Sequence, residues 1–149
     1  MTQADSPSVA IERAFAAPIE TVWDMWATSE GFASWYGPQG AQIPTANMDV
    51  TAGGKRHICM AMEGPQGAMQ MWFAGEYLEI DSPNKLVYTE AMSNEEGDET
   101  SPSTTVTVKL SATDGGTHMA MTHEGVPADS PGGMGWEMAI GKLEALLAG

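Results

Sequence analysis

Arg56, Glu90 and His123 are the side chains of this sequence best placed to hold a charge or move a proton together. His123 shares strand parity with Met119 and Met121, so an extended segment turns all three to one side. Beside Glu90 or Glu124, its imidazole could form an acid–base pair that works near neutrality. A histidine whose nitrogens are spent on structure is the favoured alternative. Arg56 has the parity of Ile58 and Met60, and an inward arginine is costly unless a carboxylate meets it. The favoured reading therefore sets Arg56 at a strand end, paired with a surface acid such as Asp49. His57 and His118 are expected to face solvent or a sheet edge, because His57 alternates with Arg56 and Ile58, and His118 with Thr117 and Met119.

Other chemistries are excluded by what the chain lacks. Cys59 is the single cysteine, so the chain can form neither an internal disulfide nor a cysteine metal cluster. Its apolar mid-strand setting predicts an inert buried thiol. No H-E-x-x-H spacing and no G-x-S-x-G elbow occurs. Gly53-Gly54 and Gly132-Gly133 lack the strand–GxxxxGK[ST]–helix setting of a phosphate loop. No metal and no cofactor are expected.

The elements that would position these groups follow from periodicity. Ser8 to Phe15 alternates as a first strand, and residues 1–7 are expected to form a disordered arm. Pro18 suits the first position of a helix, whose apolar face carries Ile19, Val22, Trp23 and Trp26. Thr28 opens a second short helix bearing Phe32, Trp35 and Tyr36, and Gly37-Pro38 stops it. Strands are predicted at 43–50, 55–62, 68–80, 85–92, 104–110 and 117–124, with a hairpin turn at Gly64-Pro65-Gln66-Gly67. Gly75 inside a strand marks a bend or close approach, here assigned to the terminal helix. The direction of Trp72 stays open, since a bulge near Gly75 could reverse the phase. Residues 93–102 read as an exposed acidic loop. The last helix, 131–147, carries Trp136, Ile140, Leu143 and Leu147 on one stripe.

The chain has 149 residues, enough for one domain (8–149) with a substantial core. Twenty acidic residues against six basic ones give a formal charge of −14, which excludes nucleic acid and anionic membrane surfaces as partners. No apolar run is long enough to span a bilayer, and the N-terminus has no secretory h-region, so a cytoplasmic location is expected. Twelve Met and five Trp against three Phe suit a deformable apolar pocket as well as a loosely packed core.

One ordered set of landmarks resembles a known family. Arg13-Ala14-Phe15-Ala16-Ala17-Pro18 with Val22-Trp23 is followed by Trp35-Tyr36-Gly37-Pro38 and by Asp49 before Gly53-Gly54. Gly75-Glu76-Tyr77 then leads through Pro83, Leu86 and Thr89-Glu90 to Thr117, Gly135-Trp136 and Leu143. The chain is thereby similar, from Val9 to Leu147, to the heat-shock-protein-90 ATPase-activator homologue-like family. That family belongs to the START-like (SRPBCC) superfamily with the birch-pollen-allergen helix-grip fold.

The resemblance implies an α+β helix-grip fold of order β-α-α-β6-α. A curved antiparallel sheet of six to seven strands would wrap a long C-terminal helix and leave a hydrophobic cavity between them. Residues expected to line it are Trp35, Ile58, Met60, Met71, Phe73, Tyr88, Met119, Met121, Trp136 and Ile140. The function implied is binding of a small hydrophobic, aromatic or lipid-like molecule, without catalysis. The alternative is a cyclase, aromatase or hydratase using His123, Glu90 or Arg56 in the same cavity. A chaperone-interacting module is the second alternative, and it is expected to lack the extra N-terminal domain of the eukaryotic co-chaperones. A homodimer through a sheet edge or helical face is compatible with the sequence, though nothing in it demands one.

Overall fold

The computed structural model describes residues 8–37, 40–64, 67–126 and 131–148. The expected arm at 1–7, Pro38, the hairpin tip Pro65-Gln66 and residues 127–130 lie outside them. Strand β1 (Ser8–Phe15) leads into helices α1 (Ile19–Ala27) and α2 (Ser29–Ala33). Six strands follow: β2 (Gln42–Met48), β3 (Lys55–Gly64), β4 (Gly67–Asp81), β5 (Lys85–Ser93), β6 (Thr104–Thr113) and β7 (Gly116–Glu124). Helix α3 (Pro131–Ala148) ends the fold.

The strands form one seven-stranded antiparallel sheet in the order β1-β7-β6-β5-β4-β3-β2. Its edges, β1 and β2, are the two strands that α1 and α2 connect, so the helices must travel the width of the sheet. Alternation decides which face they cover. Val9, Ile11, Phe15, Ile58, Met60, Leu86, Tyr88, Val106, Val108, Leu110, Met119 and Met121 are buried on the helix side. This is the α+β helix-grip arrangement that the resemblance implies.

The helices dock through aromatic rings. Trp26 of α1 meets Trp35 edge-on at 4.7 Å and stacks on Trp136 of α3 at 5.9 Å. Trp35 Nε1 donates to the Met25 carbonyl at 2.8 Å, which fastens the exit of α2 to α1. Trp136, Ala139, Ile140 and Leu143 of α3 are buried, whereas Leu147 is only half-buried. Arg13 of β1 reaches across to Glu137 (3.1 Å) and Glu144 (3.7 Å) on the outer side of α3.

The N-terminus of α2 follows its sequence signal: Thr28 Oγ1 accepts the Gly31 N–H at 3.0 Å. Pro18 sits one position earlier than expected, at the N-cap with ψ 153°, so its ring precedes the helix instead of opening it. Gly75 is approached by a strand and not by the terminal helix. A Cβ there would lie 1.8 Å from the Thr89 carbonyl oxygen, since β5 crosses tightly at that point. The bulge in β4 falls between Tyr77 and Glu79, beyond Trp72, so alternation through Met71-Trp72-Phe73 is unbroken. Trp72 therefore lies on the face opposite Phe73, with its ring 4.7 Å from that of His57.

Candidate functional site

Arg56 is buried, contrary to the surface pairing with Asp49. Its Nη1 donates to Glu90 Oε1 at 2.9 Å and its Nε to Tyr77 Oη at 3.3 Å. The guanidinium lies 3.9 Å from the ring centroid of Tyr88 and 5.1 Å from that of Phe32. Burial opposes the charge, but Tyr88, Tyr77 and Glu90 more than offset it, and the Arg56 pKa is raised. Strand register brings this about, because Arg56 of β3 and Glu90 of β5 both carry inward parity with β4 between them. On β4, Gly75 stands opposite Arg56 and offers no side chain to separate the two charges.

Glu90 then links this pair to the helices. Its Oε2 accepts the Tyr36 hydroxyl at 3.1 Å, just after α2. Burial foremost, with Glu90 next, raises the Tyr36 pKa well above the ordinary phenol value, so Tyr36 remains a donor. Burial likewise pushes Tyr88 upward. The Tyr88 hydroxyl and Trp26 Nε1 are buried with no hydrogen-bond partner among the described residues.

A second polar chain runs beside the first. Trp136 Nε1 donates to His123 Nδ1 at 2.8 Å, and His123 Nε2 lies 2.6 Å from Thr104 Oγ1. An indole nitrogen can only donate, so Nδ1 must accept and the neutral ring carries its proton on Nε2. That proton goes to Thr104 Oγ1, whose own hydroxyl donates to the Glu90 carbonyl at 2.8 Å. Burial lowers the His123 pKa, Arg56 lowers it further, and Glu90 partly counters both.

These two chains form one side of a cavity of about 640 Å³. Five methionines line it: Met60, Met62, Met71, Met92 and Met138. Phe73, Trp136 and Ala139 add apolar surface, and Tyr36, Glu90, Thr104 and His123 supply polar atoms. Ser101 and Pro102, from the loop after β5, complete the wall.

Of the residues expected at the cavity, Met60, Met71, Phe73 and Trp136 line it. Trp35, Ile58, Tyr88, Met119, Met121 and Ile140 are buried in the packed core away from it. Among the three acid–base candidates, Glu90 and His123 reach the wall, while Arg56 stands behind Glu90. His57 is half-buried on the face of the sheet away from the helices, beside Trp72, with Nε2 3.2 Å from the Asn94 carbonyl. His118 pairs with Glu12 on the surface at 3.1 Å. Cys59 is buried, and burial raises its thiol pKa.

Sequence reasoning missed Tyr36 as a polar anchor, Thr104 as a relay, and the loop residues 101–102. Tyr36 could have been found: an aromatic with a hydroxyl at the end of an apolar helix face needs an acceptor once buried. The loop offers no periodicity to read. No group of three or more His, Cys, Asp or Glu side chains that could hold a metal occurs among the described residues. No helix among them is long and apolar enough to cross a membrane.

A curved sheet, two short helices and a long terminal helix closing on a cavity define a helix-grip domain. Residues 16–148 match the family described as activator of Hsp90 ATPase homolog 1-like protein, and the chain belongs to that family. Solved structures share the fold. A protein from Nitrosomonas europaea is 24% identical with a TM-score of 0.79, covering 99% of this chain and 98% of its own. One from Arthrobacter aurescens is 24% identical with a TM-score of 0.80, covering 99% and 91%. The AHSA1 protein of Silicibacter pomeroyi is 20% identical with a TM-score of 0.77, covering 95% and 97%. None of the proteins with curated descriptions matches the chain.

Proposed function

We propose that this protein binds a small, mainly apolar molecule in the cavity between the sheet and α3. The observation that carries the reading is the wall itself. A volume of about 640 Å³ lined by five methionines and three large aromatic residues, with polar atoms gathered on one side, has the make-up of a small-molecule site. Thioethers adapt to varied shapes at little polar cost, so the cavity accommodates a flat or flexible ligand.

Catalysis of the cyclase or hydratase kind is the competing use of the same wall, because Glu90 and His123 both reach it. Against it stands the hydrogen bonding. His123 Nδ1 is held by Trp136 and Nε2 by Thr104, and each Glu90 oxygen already accepts a donor. A proton-transfer role for His123 would require breaking one of its two bonds in every turnover. Binding requires none to break.

Native mass spectrometry of protein purified from its own host, followed by release under denaturing conditions, tests the proposal. A retained apolar molecule in one-to-one ratio supports it and identifies the chemical class. A stripped protein that takes up no apolar dye or lipid at micromolar concentration would sink it.

A further inference from the structure

The cavity has an unequal supply of donors and acceptors. Every side-chain donor on its described wall is already spent inside the protein. Tyr36 donates to Glu90 Oε2, Trp136 to His123 Nδ1, His123 to Thr104 Oγ1, Thr104 to the Glu90 carbonyl, and Ser101 to the Pro102 carbonyl. Acceptor capacity is left over. Each Glu90 oxygen accepts one hydrogen bond and has room for a second.

Charge points the same way. Glu90 is the one charged side chain on the described wall. Its partner Arg56 stands on the far side, boxed in by Phe32, Tyr77 and Tyr88. The ion pair is neutral as a whole, but its dipole turns the negative end toward the cavity. In an apolar enclosure such a dipole is poorly screened. It attracts a donor and repels an anion.

We infer that the occupant is a mainly apolar molecule that brings its own O–H or N–H donor to Glu90 and carries no anionic group. The inference rests on the cavity being a ligand site, and it narrows that reading to alcohols, phenols and amines at the expense of free carboxylates and phosphates. Glu90 is the specificity-determining residue. Arg56 acts through it as a positioning residue, holding the carboxylate in place and aimed at the cavity.

Isothermal titration calorimetry with three probes that share one ring system tests this: naphthol, methoxynaphthalene and naphthoate, substituted at the same carbon. An uncompensated hydroxyl loses affinity on entering an apolar site, so naphthol wins only if an acceptor meets it. A hydrogen bond to a charged acceptor predicts naphthol tighter than methoxynaphthalene by about 10-fold or more, with naphthoate weakest. The double variant Arg56→Met/Glu90→Leu removes both charges, and it is expected to keep binding methoxynaphthalene while losing the preference for naphthol. The wild-type series decides the matter even if that variant does not fold. If methoxynaphthalene or naphthoate binds as tightly as naphthol, the inference falls and the cavity reading stands. If none of the three binds, both fall.

Discussion

Trp136 and His123 are joined by a 2.8 Å hydrogen bond from the indole N–H to Nδ1, and this bond fixes the protonation state of the histidine. It also ties α3 to β7 at the cavity wall. A protonated His123 would carry a hydrogen on Nδ1 and would face the indole N–H donor to donor. The folded state therefore prefers the neutral ring.

Stability should fall with acid for this reason. His123 titrates near pH 6.5 when unfolded and lower when folded. Between those two values the unfolded chain binds more protons, so its contribution is complete above about pH 6.5 and is lost as pH falls through the folded value. Urea denaturation of wild type and His123→Phe across that range checks this. The stability difference between them should shrink as pH drops; a constant difference would place no titration on His123.

Arg56 and Glu90 should behave as a unit. Arg56→Met alone leaves a buried carboxylate without its cation and should cost about 3–5 kcal/mol. Arg56→Met/Glu90→Leu removes both charges and should recover most of that loss, because apolar replacement of a buried pair is often neutral. A double loss equal to the sum of the losses of Arg56→Met and Glu90→Leu alone would mean that the two side chains do not interact energetically.

Gly75→Ala should be among the most damaging small substitutions. Its Cβ would sit 1.8 Å from the Thr89 carbonyl oxygen, a backbone atom held in the sheet, so β4 and β5 must part. A loss above about 2 kcal/mol is expected from such overpacking, measured by chemical denaturation. By contrast, Arg13→Ala removes only partly exposed ion pairs to Glu137 and Glu144 and should cost under about 1 kcal/mol. A near-neutral Gly75→Ala would show that the strands can relax there.

The fold was legible because parity and helical spacing are local. β1 runs over the residues that alternation marks, and Thr28 caps α2 as its side chain predicts. The site was only half legible. Parity says which face a strand residue takes, not where along the sheet the helix lifts away. Met60 and Met71 thus line the cavity, while Met119 and Met121, of the same inward class, fill the core. The Arg56–Glu90 pair was within reach, since both residues have inward parity and each would need the other. They lie 34 positions apart, however, and only the register across β4 makes them neighbours. Ser101 and Pro102 come from an aperiodic loop whose path depends on tertiary contacts.

Met138 offers a way to separate binding from stability. It lines the cavity from α3 yet is 41% exposed, so it contributes little to the folded core. A surface change of this kind usually shifts stability within about 0.5 kcal/mol. A bound ligand would cover the remaining surface of the side chain, where burying a whole methionine contributes about 1.5–3 kcal/mol. Met138→Ala should therefore weaken binding of an apolar probe by roughly 5-fold, about 1 kcal/mol of that contact, while the denaturation midpoint stays put. Fluorescence titration of the probe beside urea denaturation of the same samples gives both numbers. Unchanged affinity with an unchanged midpoint would move the ligand away from α3 and toward the Glu90 side of the cavity.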